Sequence, residues 1–401
     1  MRASAAFSGA KGWGMPVPTG ARPGEVQQGG SHPMKRRGLL GSAGVAAAAA
    51  TTAAVPLAAP AIAQTMPEIR WRLTSAFPRT LETLFGAGDM IGRVVGEMTE
   101  GRFRIQVFPT GELVPTLGAM EAVQNGTVEA NHCPNYYFFG KQAALAFDTG
   151  IPFGLNARQQ NAWMFYGGGL ELMHEVLKPF NTIAFPAGNT GTQMGGFFRK
   201  EVRTLDDLKG LKFRIAGLGG TVMQRLGAVP QLLPAGDIYP ALERGTVDAA
   251  EFVGPFDDEK LGLVRVAPYY YFPGFWEPGS QVSLNINLDA WNKLPAHYQA
   301  VLRSAAAQTN VDLLARYDVV NAQAIRRMVA GGAQLRPFSR EIMAAAWIES
   351  HKLYDELAAS NPVFRKVYEN WRPFRDQTFQ WFRVAEQTYD SFAFTAAQTV
   401  R

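Results

Sequence analysis

Glu251 stands next to last in the segment Gly245–Phe252, GTVDAAEF, just before Gly254-Pro255 breaks the chain. Thr246, Val247 and Ala249 read as a short buried strand that follows a helix and a Gly turn. In an open α/β sheet, ligands gather beyond the carboxyl ends of strands, so Glu251 arrives where a ligand would. A carboxylate there is costly unless it is paired, binds a cation or stays in water. Four further stretches carry matching chemistry. Gln193 lies in GTQMGG, Arg214 in the alternating strand Leu211–Ile215, Glu277 in the aromatic turn FWEPG, and Tyr136-Tyr137 follows an earlier strand end. Each alone also fits a structural role: a core or rim aromatic, a turn residue, an ion-pair partner. Together they suggest one arrangement. An Arg fork matches a carboxylate, and two carboxylates with an amide oxygen are hard donors suited to sodium or calcium.

Other chemistries find little support. The single cysteine, Cys133, allows neither an intramolecular disulfide nor a Cys-based zinc site, and the five His show no HExxH spacing. Cys133 beside His132 makes a poor nucleophile–base pair, because adjacent strand residues face opposite ways. No G-x-S-x-G elbow occurs, and Gly217-Leu218-Gly219-Gly220 lacks the phosphate-cradle pattern. Glu251 and Glu277 could serve as a glycosidase acid–base pair, but nothing identifies a sugar cleft. The net charge of +5 is local. Residues 1–63 hold six of the 39 basic side chains and one of the 34 acidic ones, so the remainder is balanced and gives no argument for nucleic acid or an anionic membrane.

Residues 1–33, rich in Gly, Pro and Ser, read as disordered or as a start placed too early. From Met34 the chain runs through Lys35-Arg36-Arg37, an Ala-rich stretch and Ala61-Ile62-Ala63, which reads as an export leader of residues 34–63 with Gln64 as the mature start. The Arg pair points to the twin-arginine route and the periplasm.

Behind the site residues, the pattern predicts a strand at Ile69–Leu73, a helix over Thr80–Thr99, a strand at Phe103–Phe108, a helix over Glu112–Gln124 and a strand at Thr127–Ala130. That alternation implies a parallel sheet flanked by helices. The unit recurs: EAVQNGTVEA at 121–130 is echoed by PALERGTVDA at 240–249. Two similarly built lobes follow, 64–190 and 191–284, with parts of 285–340 returning to the first and equivalent strand ends facing one cleft. Three helical stretches come last: Ala296–Val329, Arg340–Ser360, and an aromatic-rich Pro362–Phe394 broken at Pro373. Residues 341–401 form a C-terminal extension that packs across the lobes or makes a dimer contact.

FPTGEL at 108–113, NGTVEA at 125–130, LDDLKGLKFR at 205–214, Gly245–Phe252 and the stretch from Asn287 through Leu294-Pro295 together resemble the solute-binding proteins of tripartite ATP-independent periplasmic (TRAP) transporters. The resemblance implies an α/β, two-lobe periplasmic binding protein fold with a ligand cleft between lobes and a long C-terminal helical extension. It implies that Arg214 holds a substrate carboxylate. Many members carry a second Arg where this chain has Gln193, and Asn where it has Phe252, so the chain is more similar to the α-keto acid and lactate branch. There a sodium or calcium ion bridges protein and substrate, implying Gln193, Glu251, the Phe252 carbonyl and Glu277 as its ligands, with Tyr137 or Tyr136 reaching the substrate. Membrane permease subunits and a homodimer through the C-terminal helices are the partners implied. The expectation is a non-enzymatic binder of a small 2-oxo or 2-hydroxy monocarboxylate. A larger carboxylate, service to a sensor in place of a permease, and an exported hydrolase using Glu251 and Glu277 are the alternatives.

Overall fold

The computed structural model describes residues 66–399, so the expected leader at 34–63 and the stretch 1–33 lie outside the described residues. In chain order the strands are β1 (Ile69–Ser75), β2 (Phe103–Phe108), β3 (Ala130–Cys133), β4 (Thr182–Asn189), β5 (Gly196–Phe198), β6 (Lys212–Arg214), β7 (Val229–Gln231), β8 (Ala249–Ala250), β9 (Tyr269–Phe272), β10 (Gln281–Asn287) and β11 (Gln334–Pro337). They form two sheets, ordered β2-β1-β3-β10-β4 and β11-β9-β5-β8-β6-β7. In the first, β1 runs parallel to β2 and β3, and β10 antiparallel to β3 and β4. In the second, β6 lies parallel to β7 and β8, and β5 antiparallel to β8 and β9. This is the two-lobe α/β fold with a helical C-terminal extension.

The internal repeat is visible in both sheets, displaced from where the pattern put it. β3 starts at Ala130 and β8 at Ala249, the last residues of the two repeated segments. The intervening Gly-Thr-Val caps the preceding helix. Gly126 and Gly245 take positive φ, and the Val128 and Val247 amides return to the carbonyls of Ala122 and Ala241. Those groups are spent on the helix end and cannot enter a ladder.

Other boundaries moved for local reasons. The helix expected over Glu112–Gln124 is helical only from Thr116, because Pro115 is extended (ψ 153°) and holds residues before it out of the helix. The first helix begins at Leu84. Pro373 does not break the C-terminal stretch: Pro362–Phe382 is one helix, followed by a π turn at Arg383–Gln387 and a helix at Thr388–Thr399. Pro373 faces solvent, where water can take up the carbonyl its missing N–H leaves free.

The chain passes between the sheets three times: from β4 to β5, from β9 to β10, and along the 35-residue helix Ala296–Ala330 into β11. That helix packs against β4, against the helix Leu84–Met98, and against the second-sheet helix Pro255–Lys260. Gln193 lies in the first crossing and Glu277 in the second, which brings both to the seam between the sheets.

Candidate functional site

Arg214 is the last residue of β6 and Glu251 the first after β8, its parallel neighbour, so both stand at carboxyl ends. Arg214 Nη1 lies 2.7 Å from Glu251 Oε1 and also donates to the Glu251 carbonyl, and its Nε donates to the Leu233 carbonyl at 3.1 Å. Both side chains are almost fully buried, at 1% and 0% exposure. Lys212, on the same face of β6, is exposed; the face is covered only at its carboxyl end. The Ala216 amide, at the start of the helix Gly217–Arg225, adds a hydrogen bond to Glu251 Oε1 at 3.2 Å. The guanidinium carbon sits 5.5 Å from the Phe252 ring centroid.

The two crossings complete the cluster. The Gln193 amide donates to the Glu277 carbonyl at 3.0 Å, and Gly274 returns a bond to the Gln193 carbonyl at 2.9 Å, pinning one crossing to the other. Gln193 Nε2 donates to Thr190 Oγ1 at 3.1 Å, which assigns its Oε1 as the free acceptor. Tyr136 and Tyr137 sit on a short 3-10 turn after β3, their rings 5.0 Å apart. Tyr136 faces Glu277, and Tyr137 feels Arg214. The structure therefore brings Gln193, Arg214, Glu251, Phe252, Glu277 and the Tyr pair to one buried place between the sheets.

Electrostatically this place is unbalanced. Burial pushes Glu251 above the ordinary carboxylate range, against the pull of Arg214 and the Ala216 amide. Burial and the Glu251 charge push Glu277 well above it, while Tyr136 and Ser280 act in the opposite direction. Burial works against the Arg214 charge, yet Glu251 and the two Tyr hold its pKa above the usual value. Of the ten buried side-chain polar atoms without a hydrogen-bond partner among the described residues, five lie in this cluster: Gln193 Oε1, Glu251 Oε2, both Glu277 oxygens and Arg214 Nη2. Unpaired buried groups of this kind are expensive and concentrate where a ligand satisfies them. Four are oxygens wanting a positive partner and one is a cationic N–H wanting a negative one. Among the described residues no group of three or more His, Cys, Asp or Glu is placed to hold a metal ion. The unpartnered oxygens here belong to two carboxylates and an amide, which fits a hard cation and not zinc.

His132 and Cys133 belong to the first lobe's packing. His132 Nε2 pairs with the Ala187 carbonyl at 3.0 Å, and burial lowers its pKa to about 4. Burial drives the Cys133 thiol upward, so it is a poor thiolate source. The sequence reading missed the Ala216 amide and Thr190. The first has no side-chain signature, and the second is one unremarkable hydroxyl three residues before Gln193.

Residues 76–361 match the family described as bacterial extracellular solute-binding protein, family 7, DctP. A monocarboxylate 2-oxoacid-binding periplasmic protein of Nostoc sp. is 50% identical over 363 residues, 90% of this chain and 99% of the relative. A TRAP transporter solute-binding protein from Bordetella bronchiseptica, a mixed-occupancy dimer with copurified calcium and picolinate, superposes with a TM-score of 0.83 at 47% identity, covering 84% of this chain and 100% of that one. A TRAP periplasmic solute-binding protein from Pseudoalteromonas atlantica with bound sodium and pyruvate gives 0.78 at 35% identity, covering 80% and 98%. This chain belongs to the DctP family of bacterial extracellular solute-binding proteins.

Proposed function

We propose that this protein is the periplasmic binding component of a TRAP transporter, that it captures a small 2-oxo or 2-hydroxy monocarboxylate together with a sodium or calcium ion, and that it hands the acid to membrane permease subunits. The observation that carries the reading is the set of five unpartnered buried atoms in one cluster, four oxygens and one guanidinium N–H. Arg214 Nη2 would take the substrate carboxylate. Gln193 Oε1, Glu251 Oε2, the Phe252 carbonyl and Glu277 would hold the cation. Tyr137, and Tyr136 beside it, would close over the acid. The bound cation supplies a positive centre that a carboxylate oxygen and an adjacent oxo or hydroxyl oxygen can share. The protein's own residues exclude water, orient the acid against Arg214 and keep the two carboxylates apart from it. No bond is made or broken in this scheme.

Two further parts of the reading concern the chain's ends. Export is by the twin-arginine route, with cleavage after Ala63, residues that lie outside the structural description. Dimerisation uses the last two helices. Trp381, Val384, Tyr389, Phe392 and Phe394 stand more than half exposed there, beside a groove of about 620 Å³ lined partly by Phe379, Phe382 and Phe394.

Calorimetric titration of the mature protein, from Gln64, with pyruvate and with lactate tests the site. Binding should be lost after chelation and dialysis into sodium-free buffer and return with sodium or calcium. Binding that persists without a cation would remove the bridging role. No binding of either acid to folded, ligand-free protein would reject this substrate class in favour of larger carboxylates.

A further inference from the structure

The Gly-rich run Gly217-Leu218-Gly219-Gly220 lacks the phosphate-cradle pattern, yet its first residue sits directly against the opposite lobe. Gly217 opens the helix Gly217–Arg225 in the second lobe, directly after the Ala216 amide that donates to Glu251. A β-carbon built on Gly217 would land on Cδ2 of Tyr136, well inside van der Waals contact, and would lie 3.1 Å from its Cε2 and 3.3 Å from its Cγ. Tyr136 belongs to the first lobe, on the turn after β3. The Cδ2 edge of one aromatic ring therefore rests on a bare α-carbon of the opposite lobe.

Neither side of this contact has room to give. The Tyr136 amide donates to Thr149 Oγ1 at 3.1 Å. Asn135, one residue earlier, donates to Asp148 and to Asn285 at 2.9 Å each, and Ser283 holds the same Asp148 at 2.7 Å. That network ties the turn into the first sheet. On the other side, Gly217 adopts φ +59°, the left-handed region in which only Gly sits without strain. Leu218 and Val222 anchor its helix in the core. Two rigid surfaces meet, and the missing side chain sets how closely they meet.

We infer that Gly217 is a positioning residue of the binding site: it is the seat on which Tyr136 lands when the lobes close, and ligand affinity depends on that seat carrying no side chain. The inference rests on the proposed carboxylate-binding function. Its energetic logic is asymmetric. A side chain at 217 costs backbone strain whether the lobes are open or closed, but it meets Tyr136 only when they are closed. The ring contact therefore bears on binding and not on folding. Gly220, in the same helix, is different: a β-carbon there finds ordinary contacts of 3.4 Å and beyond.

The test compares wild type, Gly217→Ala and Gly220→Ala, by calorimetric titration with pyruvate in saturating sodium or calcium and by small-angle X-ray scattering with and without pyruvate. Wild type and Gly220→Ala should bind alike and contract on ligand addition. Gly217→Ala should stay folded with a melting midpoint lowered by the strain at positive φ, bind pyruvate about tenfold or more weakly, and fail to contract fully even at saturation. Gly217→Asn, whose side chain tolerates positive φ, carries the same test if the Ala variant does not fold. Wild-type affinity in a folded Gly217 variant would overturn the inference. So would weakened affinity with full contraction, which would trace the loss to strain at Ala216–Gly217 and not to closure. Failure of wild type itself to bind pyruvate would instead overturn the substrate assignment beneath it.

Discussion

In the proposed site Arg214 does two jobs that no other residue type can combine. Its Nη1 and Nε are committed to Glu251 and Leu233, and its Nη2 is left unpaired in a buried place. A Lys could balance Glu251 or meet a substrate, but its point charge lacks the fork that does both at fixed angles. Arg214→Lys should therefore fold and yet bind pyruvate at least about tenfold more weakly in a titration. Arg214→Ala should fare worse, since it strands Glu251 as an unpaired buried carboxylate. Loss of a partner from a buried pair costs about 3–5 kcal/mol, readable as a fall in the denaturation midpoint. Equal binding by the Lys variant would show that Arg214 serves only as a counter-charge. At this scale the sequence was informative wherever a polar side chain interrupted an apolar pattern, as at Arg214, Glu251 and Glu277. It was silent where the chemistry belongs to the backbone, as at the Ala216 amide, or to an absent side chain, as at Gly217.

The helix Pro255–Lys260 joins the site to the rest of the molecule. It leaves the ligand segment at Gly254, and its acids reach outward: Asp257 accepts from Thr83 of the first lobe at 2.9 Å and from Tyr317 of the long helix at 2.5 Å. Asp258 accepts from Tyr270 at 2.6 Å. Burial raises Asp258 from 3.8 to about 8, with Tyr270 and the Val253 amide opposing and the charges of Asp257 and Glu251 adding; burial raises Asp257 to about 6. The native state thus keeps protons that the unfolded chain has lost. Its stability is greatest below the unfolded carboxylate range and declines as pH rises toward the native values. Each pH unit within that window costs up to about 1.4 kcal/mol per group. Cation-free protein should accordingly be more stable to denaturant at pH 6 than at pH 8, and Asp258→Asn should flatten the difference; an unchanged slope would show that Asp258 is not its source. This element also marks a limit of pattern reading. GTV at 126–128 and at 245–247 looks like strand because Thr and Val favour strands, but each run caps a helix first. Propensity lost to an unsatisfied helix end, and the true strands are shorter and later.

Across the whole molecule the sequence foretold two lobes from one repeated decapeptide, and the sheets carry that repeat at β3 and β8. It did not foretell β11, which joins the second sheet beside β9 after the long helix; four residues with no repeated partner announce nothing. The C-terminal helices were legible by their aromatics. Phe364, Tyr368 and Trp371 bury themselves against the first lobe, while Tyr389 and Phe392 remain more than two-thirds exposed. That division argues for a second copy over the outer row. The paired change Tyr389→Asp with Phe392→Asp should convert a dimer to a monomer in light scattering while leaving pyruvate affinity near wild type; a dimer that survives would place the interface elsewhere. One last consequence follows from Cys133, which is both solitary and sealed inside the first lobe. A folded sample offers thiol reagents nothing to modify. A cysteine introduced for Lys260, whose amine spans the lobes to Glu82 at 3.0 Å, would be the sole handle for an environment-sensitive dye at a contact between the lobes. The wild-type chain is in this sense already the blank from which a single-label optical sensor could be built.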